Sequence, residues 1–273
     1  MIFPFVMTSF AHAQDAVEGA STTTLVVQPP VQKRWSLPLV LEYASSFHKE
    51  SAYEHQAQES LTLAPSYKIS DQWSAGLLTS IYKDESNGEE GGITTWDNTR
   101  VSLSGTSPLL SNLDSNFGVA GVLATHQALR DQSSYQGGMR LSVGGLWKEL
   151  FHGSALRYGL AFTRNFHEFS INAQGAFNVR ENLANSLEFS LPFNESLSIV
   201  TSFIYTAGYT YRDDLRTKFV TEANLVWQVN KTFSLATGAS NEGNALGPNG
   251  RDSNIEFFND NSSLFKLGLT YIL

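Results

Sequence analysis

The last ten residues of the chain, Leu264-Phe-Lys-Leu-Gly-Leu-Thr-Tyr-Ile-Leu273, show most clearly the residue pattern that indicates the fold. Apolar residues occupy one face of this segment when it is extended: Phe265, Leu267, Leu269, Tyr271 and Leu273. The other face carries Lys266, Gly268 and Thr270. Because successive side chains of a strand point to opposite faces, the segment predicts a β-strand with one apolar and one polar side.

The same alternation extends back to Trp35, the first residue of the first predicted strand. Its outward set is Trp35, Leu37, Leu39, Leu41 and Tyr43, and its inward set is Ser36, Val40, Glu42 and Ala44. The ninth and tenth predicted strands show the same alternation. Their outward residues are Leu197, Ile199, Phe203 and Tyr205, and Phe219, Leu225 and Trp227, respectively. Alternation sustained over this length predicts a sheet with one face in hydrocarbon.

Turn residues divide the pattern into twelve predicted strands. They are 35–47, 58–69, 73–83, 95–106, 115–126, 138–147, 154–168, 182–192, 196–210, 216–229, 232–240 and 263–273. The connections alternate in length, with long ones at 48–57, 84–94, 127–137, 169–181 and 241–262, and with the short link 211–215 as the exception. An even strand number and alternating connections are typical of a bacterial barrel with both termini on the periplasmic side.

Composition excludes several other classes of protein. Charged residues are 16% of the chain, below the ordinary value of about 25%, and there is no long apolar run for a membrane helix. The net charge of -8 argues against a nucleic-acid partner, which would require clustered Lys and Arg. The absence of cysteine excludes disulfides and thiolate metal sites. We predict neither a metal nor a cofactor.

From these residues, the chain between 35 and 273 resembles the porin-like outer-membrane β-barrel proteins of Gram-negative bacteria. The resemblance implies an all-β fold, an antiparallel transmembrane β-barrel of twelve strands. It also implies outer-membrane lipids, lipopolysaccharide and the barrel assembly machinery as partners. The segment ending at Leu273 is similar to the assembly signal of this class, although the class usually ends in Phe.

The N-terminal residues predict export. Residues 1–13 are apolar and end in Ala11-His12-Ala13, a small-x-small pattern that favours signal-peptidase cleavage after Ala13. Residues 14–34 are polar or interrupted by proline, and they predict a periplasmic segment before the barrel.

Aromatic residues lie where two membrane belts are expected. The belt residues, which form the predicted girdle, are Trp35, Trp73, Trp96, Trp147, Trp227 and Tyr271. Tyr67 is placed with the periplasmic group, and Tyr82, Tyr209 and Tyr211 are placed with Trp96 at the opposite rim.

Charged residues on the inward face predict the lining of a lumen. The bases are Lys68, Arg100, Arg140, Arg157, Lys218 and Lys266, and the acids are Glu42, Glu188 and Glu222. This excess of bases predicts a narrow channel for small polar solutes with a mild anion preference. A salt-bridged interior that fills the barrel is the alternative, in which case the extracellular loops, above all 241–262, would carry the activity.

A lipid hydrolase is the second alternative, because His152 and Ser154 have the spacing of a base and its nucleophile. The predicted topology places them at a periplasmic turn, which favours a capping Ser instead. Carboxylates cluster in the loop 84–90, but without the ligand spacing of a calcium site. We therefore predict no enzyme activity.

Overall fold

The computed structural model describes residues 34–47, 56–84, 94–247, 252–259 and 262–273. The predicted signal peptide and nearly all of the predicted periplasmic segment lie outside these residues, as does most of the acidic loop 84–90.

Strands make up almost all of the regular structure. They are β1 (Trp35–Ser36), β2 (Pro38–Ser46), β3 (Ala57–Leu63), β4 (Ser66–Lys68), β5 (Trp73–Asp84), β6 (Thr94–Trp96), β7 (Thr99–Leu110), β8 (Leu113–Leu123), β9 (Tyr135–Trp147), β10 (Ala155–His167), β11 (Val179–Pro192), β12 (Leu197–Thr210), β13 (Leu215–Gln228), β14 (Phe233–Asn244) and β15 (Ser263–Ile272). One short helix, α1 (Gln127–Ser133), precedes β9. No helix among the described residues is long and apolar enough to cross a membrane.

These segments form a closed antiparallel barrel of twelve strands, as the sequence predicted. Three of the twelve are interrupted, so that β1 continues into β2, β3 into β4, and β6 into β7. Each strand pairs with its neighbours in the chain, and the ring closes where β15 pairs with β2. The closing register runs from Leu264 opposite Ser46 to Ile272 opposite Pro38.

The two faces of the wall differ in chemistry because the side-chain period of a strand is two. Large apolar side chains project outward and are exposed, as at Leu41, Leu141 and Val143. The inward positions are mostly Ser, Thr, Asn, Ala and Gly, with charged residues among them. An apolar outside and a polar inside are what a barrel surrounded by lipid requires.

Several predicted strand bounds were wrong. The predicted strand 95–106 continues to Leu110, and the strands predicted at 138–147 and 182–192 begin at Tyr135 and Val179. The predicted strand 115–126 ends at Leu123, because His126 instead caps helix α1 by accepting a hydrogen bond from the Leu129 N–H at 3.2 Å. The predicted strand 232–240 continues to Asn244, because β14 remains paired with β13 over that length.

The described residues 252–259 of the connection after β14 fold against the outer wall at the end of the barrel far from the chain termini, which the sequence predicts to be extracellular. The Asn241 side-chain amide donates to the Glu256 carbonyl at 2.7 Å, and the Thr221 hydroxyl donates to the Phe257 carbonyl at 3.3 Å. Polar groups on the outer face thereby gain partners within the protein, which matters where water is scarce.

Glycine at position 238 is required by close packing, and this gives a stability test. A Cβ at Gly238 would lie 2.1 Å from the Ala223 carbonyl oxygen, whereas a Cβ at Gly121 would meet nothing within 4 Å. We expect Gly238→Ala to destabilise the barrel by about 1–3 kcal/mol through overpacking. The same substitution at Gly121 is the matched control. Unfolding in urea, followed by the heat-sensitive migration of the barrel on a gel, measures both, and equal midpoints would contradict the packing argument.

Candidate functional site: the barrel lumen

The register places all nine predicted lumen residues on the inner face of the wall. They do not form one cluster. Lys68 lies beside the periplasmic turn, where its ammonium is 2.9 Å from the Asp71 carboxylate. Lys218 lies towards the extracellular end, opposite Asn244 of β14. The other seven lie along the length of the lumen between these ends.

Three of the seven form a buried charge cluster, which we call the lumen triad: Glu42, Glu222 and Lys266. The Lys266 Nζ atom lies 3.3 Å from Glu222 Oε1 and 3.6 Å from Glu42 Oε1. Asn224 donates a further hydrogen bond to Glu222 at 2.8 Å. Lys266 and Glu222 are 3% and 4% exposed, so the cluster is almost closed to water.

The triad bridges strands that are not all neighbours. Glu42 belongs to β2, Lys266 to β15 and Glu222 to β13, with β14 lying between the last two. Such a reach across β14 is possible because Gly238 stands opposite Lys266 and presents no side chain. The lysine ammonium therefore ties three strands together from the inside.

A second ion pair lies on the adjacent part of the wall. Arg157 of β10 stands opposite Glu188 of β11, with Nε 4.0 Å from Oε1. Glu188 pairs with Ser202 of β12, and Ser202 pairs with Glu222 of β13. We call such a row of residues paired from strand to strand a hydrogen-bonded line. The ion pair and the lumen triad thus lie on the same side of the lumen, with the uncharged Ser202 between Glu188 and Glu222.

Arg140 lies on the opposite wall at nearly the same height as Lys266. Six steps around the ring separate β15 from β9, which is half of the twelve strands. At a strand tilt of about 45°, the hydrogen-bonded line changes height by roughly 3 Å per strand, and the chain rises by roughly 2.4 Å per residue. The line from Lys266 descends to the periplasmic end of β9 beside Trp147, and Arg140 is seven residues above it. The descent along this line and the rise along β9 from Trp147 to Arg140 nearly cancel, so Arg140 and Lys266 lie at nearly the same height.

Arg100 reaches the same level from the other direction. The line from Glu42 climbs through Ser60 and Tyr82 to Thr95, and Arg100 lies five residues below Thr95 on β7. Six steps separate β7 from β13, so Arg100 faces Glu222 across the lumen. A ring of opposed charges at one height, composed of the lumen triad, Arg100 and Arg140, is the candidate site.

The sequence missed four inward charges. They are Asp84, Asp114, Arg216 and Glu242. Asp84 and Glu242 lie just beyond the ends of the predicted strands 73–83 and 232–240, and Asp114 lies just before the start of the predicted strand 115–126. Adding one base and three acids to the predicted six and three leaves seven bases against six acids on the inner face of the described strands, so the predicted excess of bases largely disappears.

The predicted girdle residues project from the outer face. Trp35, Trp73, Trp227 and Tyr271 are exposed near the periplasmic ends of their strands, Trp147 is half-buried there, and Trp96 is exposed near the extracellular end. Two further tyrosines were placed wrongly in the outer belt. Tyr82 points into the lumen because even-numbered residues of β5 face inward, and Tyr211 packs edge-on against His167 at 5.7 Å.

His126 joins helix α1 to the barrel wall at the extracellular end. Its Nδ1 accepts the Leu129 N–H, so Nε2 carries the ring proton and donates to the Tyr82 hydroxyl at 2.6 Å. Helix α1 is in turn bonded to the next extracellular connection, where Ala173 N–H donates to the Gln132 carbonyl at 2.7 Å. The neutral imidazole thus links an inward side chain of β5 to α1.

The hydrolase alternative gains no support from the geometry of His152 and Ser154. Both lie in the turn between β9 and β10, where Ser154 is fully buried and its hydroxyl accepts the Phe151 N–H at 3.2 Å. His152 has a positive φ of 47°, as expected in a tight turn. In the described part of the chain, no group of three or more His, Asp or Glu side chains is arranged to hold a metal ion.

Comparisons with known proteins show the fold. No protein-family model matches the chain, and no curated protein matches it in sequence. Among solved structures, it is similar to an outer-membrane channel from Pseudomonas putida F1, with a TM-score of 0.60 and 13% identity over 90% of this chain and 100% of that one. It is also similar to the NanC porin, with a TM-score of 0.56 and 11% identity over 86% and 98% of the two chains. The chain therefore has the fold of porin-like outer-membrane barrels.

The lumen triad predicts unequal effects for its members. Lys266→Met would leave two buried carboxylates without their cation, which costs about 3–5 kcal/mol of unfolding free energy. Glu42→Gln keeps the contact between Lys266 and Glu222 and should cost much less. Urea unfolding in detergent compares the two, and a larger loss for Glu42→Gln would show that the triad is assigned wrongly.

The His126 cap predicts a pH-dependent change at the mouth. Burial lowers the pKa of His126 below its ordinary value, against the opposing charge of Asp97. The folded state therefore prefers the neutral ring, and the stability of the cap is present above about pH 6.5 and declines as the pH falls. Protonation of Nδ1 removes the acceptor for the Leu129 amide, and losing an N-cap costs about 1 kcal/mol.

We expect the Leu129 amide to lose roughly fivefold of its protection from hydrogen exchange between pH 7 and pH 5, beyond the intrinsic effect of pH. His126→Asn supplies a cap that does not titrate and is the control. Protection that follows pH equally in both proteins would exclude the imidazole as the cause.

Proposed function

We propose that this chain forms a narrow passive channel of the outer membrane for small polar solutes. The observation that carries the proposal is the closed barrel with an apolar outer face and a polar inner face, in which charges on opposite walls lie at one height. The triad lies on one side of that ring, and Arg100 and Arg140 lie on the other. Solutes would pass between them.

The ring of opposed charges, which is the candidate site, limits the size of the solute that could pass. Lys266, Glu222 and Arg140 are each less than 10% exposed, so little water reaches them. A twelve-stranded barrel is also intermediate between side-chain-filled barrels of eight strands and open porins of sixteen. Both facts favour ions and small solutes over oligomers.

Selectivity should be weak, because the inner face carries nearly equal numbers of bases and acids. We infer a mild preference for anions from the contacts of the ring. The side chains of Glu42 and Glu222 are 8% and 1% exposed and lie against Lys266, whereas Arg100 is half-buried. A solute at this level would meet the guanidinium more readily than the carboxylates.

The surroundings of the barrel follow from the same proposal. The chain would be exported by residues 1–13, with residues 14–34 in the periplasm, and inserted by the barrel assembly machinery through β15. Phospholipid and lipopolysaccharide would cover its apolar outer face. We propose no chemical step and no cofactor.

A closed barrel is the second candidate, because the buried triad would also suit an interior that is filled by ion pairs. In that case the extracellular connections would bind the partner. The two candidates differ in one measurable property, which is conductance.

Planar-bilayer recording tests the proposal. Purified protein should give small ohmic steps, and a KCl gradient should displace the reversal potential towards that of chloride. Replacing both Arg100 and Arg140 with Glu should move it towards potassium, since the positive side of the ring would become negative. Lys231→Glu changes the charge of an exposed periplasmic turn and is the control.

Two outcomes would contradict this function. Repeated verified insertions without conductance would favour the closed barrel. Conductance with the same reversal potential in the wild type and the double variant would place the constriction away from Arg100 and Arg140.

A further inference from the structure

Residues 252–259, which we call the strap, lie on the outer wall as irregular backbone. The strap is held there by the Asn241 amide, which donates to the Glu256 carbonyl, and by the Thr221 hydroxyl, which donates to the Phe257 carbonyl. Asn241 and Thr221 are 1% and 2% exposed. The strap therefore covers the outer face of β13 and β14 down to the level of these two residues.

The lower part of the strap lies at membrane depth. Thr221 is in the middle of β13, six residues above Trp227, which belongs to the predicted periplasmic belt. At a rise of roughly 2.4 Å per residue, Thr221 lies roughly 14 Å above that belt. The apolar band of an outer-membrane barrel is about 25 Å tall. The strap backbone at Phe257 is therefore near the middle of the band.

Lipid is a poor cover for the strap. Irregular backbone at hydrocarbon depth occurs where protein or water covers it, and a carboxylate at that depth is costly. The strap presents both to the outside, because the Glu256 side chain is exposed. Phe257 beside it is 79% exposed, the highest value among the large hydrophobic residues that the structure describes. These features favour a second protein surface against the strap.

The same wall contains a recess for a protruding side chain. An apolar groove of about 780 Å³ crosses β2, β3 and β12–β15, and we call it the outer-wall groove. Tyr43 and Glu59 line its upper end. Lys83 stands opposite Glu59 on β5, so both signs of charge are present there. The upper end can thus receive a phenyl ring next to a carboxylate without a net repulsion.

The strap and the upper end of the groove lie on either side of β15. Phe257 is bonded to β13, two strands from β15 in one direction, whereas Glu59 belongs to β3, two strands away in the other. Phe265 projects outward from β15 between them and is 39% exposed. A two-fold axis in front of Phe265 would bring Phe257 of each copy to the groove of the other.

The two features also lie at one height. Asn241 is two residues above Ala239, the β14 partner of Phe265, and Tyr43 is two residues below Ser45, its β2 partner. The hydrogen-bonded line climbs by roughly 3 Å per strand from β14 to β2, so these offsets cancel most of the climb. Asn241 and Tyr43 are thus each within roughly 2 Å of the height of Phe265.

We propose that this wall is the interface of a homodimer, with its two-fold axis along the membrane normal at Phe265. The strap of each copy is seated on the upper end of the outer-wall groove of the other, where Phe257 enters beside Tyr43. A two-fold contact uses the same surface of both copies, so a protrusion and a recess on one wall fit each other twice. The dimer does not depend on whether the lumen conducts.

Cysteine cross-linking in the outer membrane tests the interface. The chain has no cysteine, so one introduced cysteine can form a disulfide only with another molecule. Phe265→Cys should give mainly a disulfide-linked pair of chains on oxidation. Met139→Cys is the matched control, because Met139 is 55% exposed on β9, six strands from β15, and it should give at least tenfold less. Leu267→Cys replaces Phe265→Cys if heat-sensitive migration shows that the latter does not fold.

The strap has its own readout. In the Phe265→Cys background, Phe257→Ser should reduce the cross-link at least tenfold, because it removes the ring that enters the groove. Light scattering in mild detergent should show two chains for the wild type and one for Phe257→Ser. Phe169→Ser removes an exposed ring from another connection and is the control. The conductance per barrel should be equal in the wild type and Phe257→Ser, which separates the dimer from the channel.

Three results would overturn the proposal. Equal cross-linking of Phe265→Cys and Met139→Cys would show that the contact is not specific. A cross-link from Phe265→Cys to a protein of different mass would assign the wall to another partner. A wild-type mass of one chain without a cross-link, or a mass of three chains, would exclude the two-fold dimer.

Discussion

The pairing of β15 with β2 closes the barrel, and no other strand pair could stay in a membrane without it. Backbone N–H and C=O groups have no water to bind in hydrocarbon, so a sheet can cross a membrane only when its two edges pair with each other. Nine residue pairs join these strands, from Leu264 opposite Ser46 to Ile272 opposite Pro38. Beyond them, Leu37 and Leu273 exchange backbone hydrogen bonds at 3.2 and 3.4 Å. The seam therefore reaches the last residue of the chain.

Closure of the barrel also determines which side chains face lipid and which face the lumen. Once the ring is closed, odd and even positions of a strand face different media, and a residue belongs to the lipid or to the lumen by its register alone. Lys266 illustrates the consequence. It sits between the outward residues Phe265 and Leu267 on the closing strand, yet its ammonium reaches Glu42 and Glu222 inside. The seam is thus held by backbone pairing within the wall and by charge within the lumen.

Much of this could be predicted from the sequence, because alternation and turn residues are local signals. The segment ending at Leu273 predicted the closing strand, and the twelve strands followed from the same period. Strand ends were harder, since pairing with a neighbour can extend a strand through polar residues. Glu242 was missed for this reason: its segment looks like a loop, and only the partner strand β13 holds it in the wall. Tyr82 was misplaced against the same local signal, because period two on a strand with Trp73 outward already puts residue 82 inside.

The arrangement of charges around the lumen lay further beyond the sequence, because it depends on how strands are staggered. A list of inward residues gives the sign of each charge but not its height. Arg100 and Glu222 are far apart in the chain, and they face each other because their strands are six steps apart in a barrel of twelve and the stagger offsets the tilt. A depression in the outer wall around Thr237 has the same origin, because Leu225 and Leu267 flank it on the two neighbouring strands. A threonine among leucines is unremarkable within one strand, and it becomes a depression only when three strands are aligned. In a barrel, then, the period of two determines whether a side chain faces lipid or the lumen. The stagger of the strands determines which other side chains lie next to it.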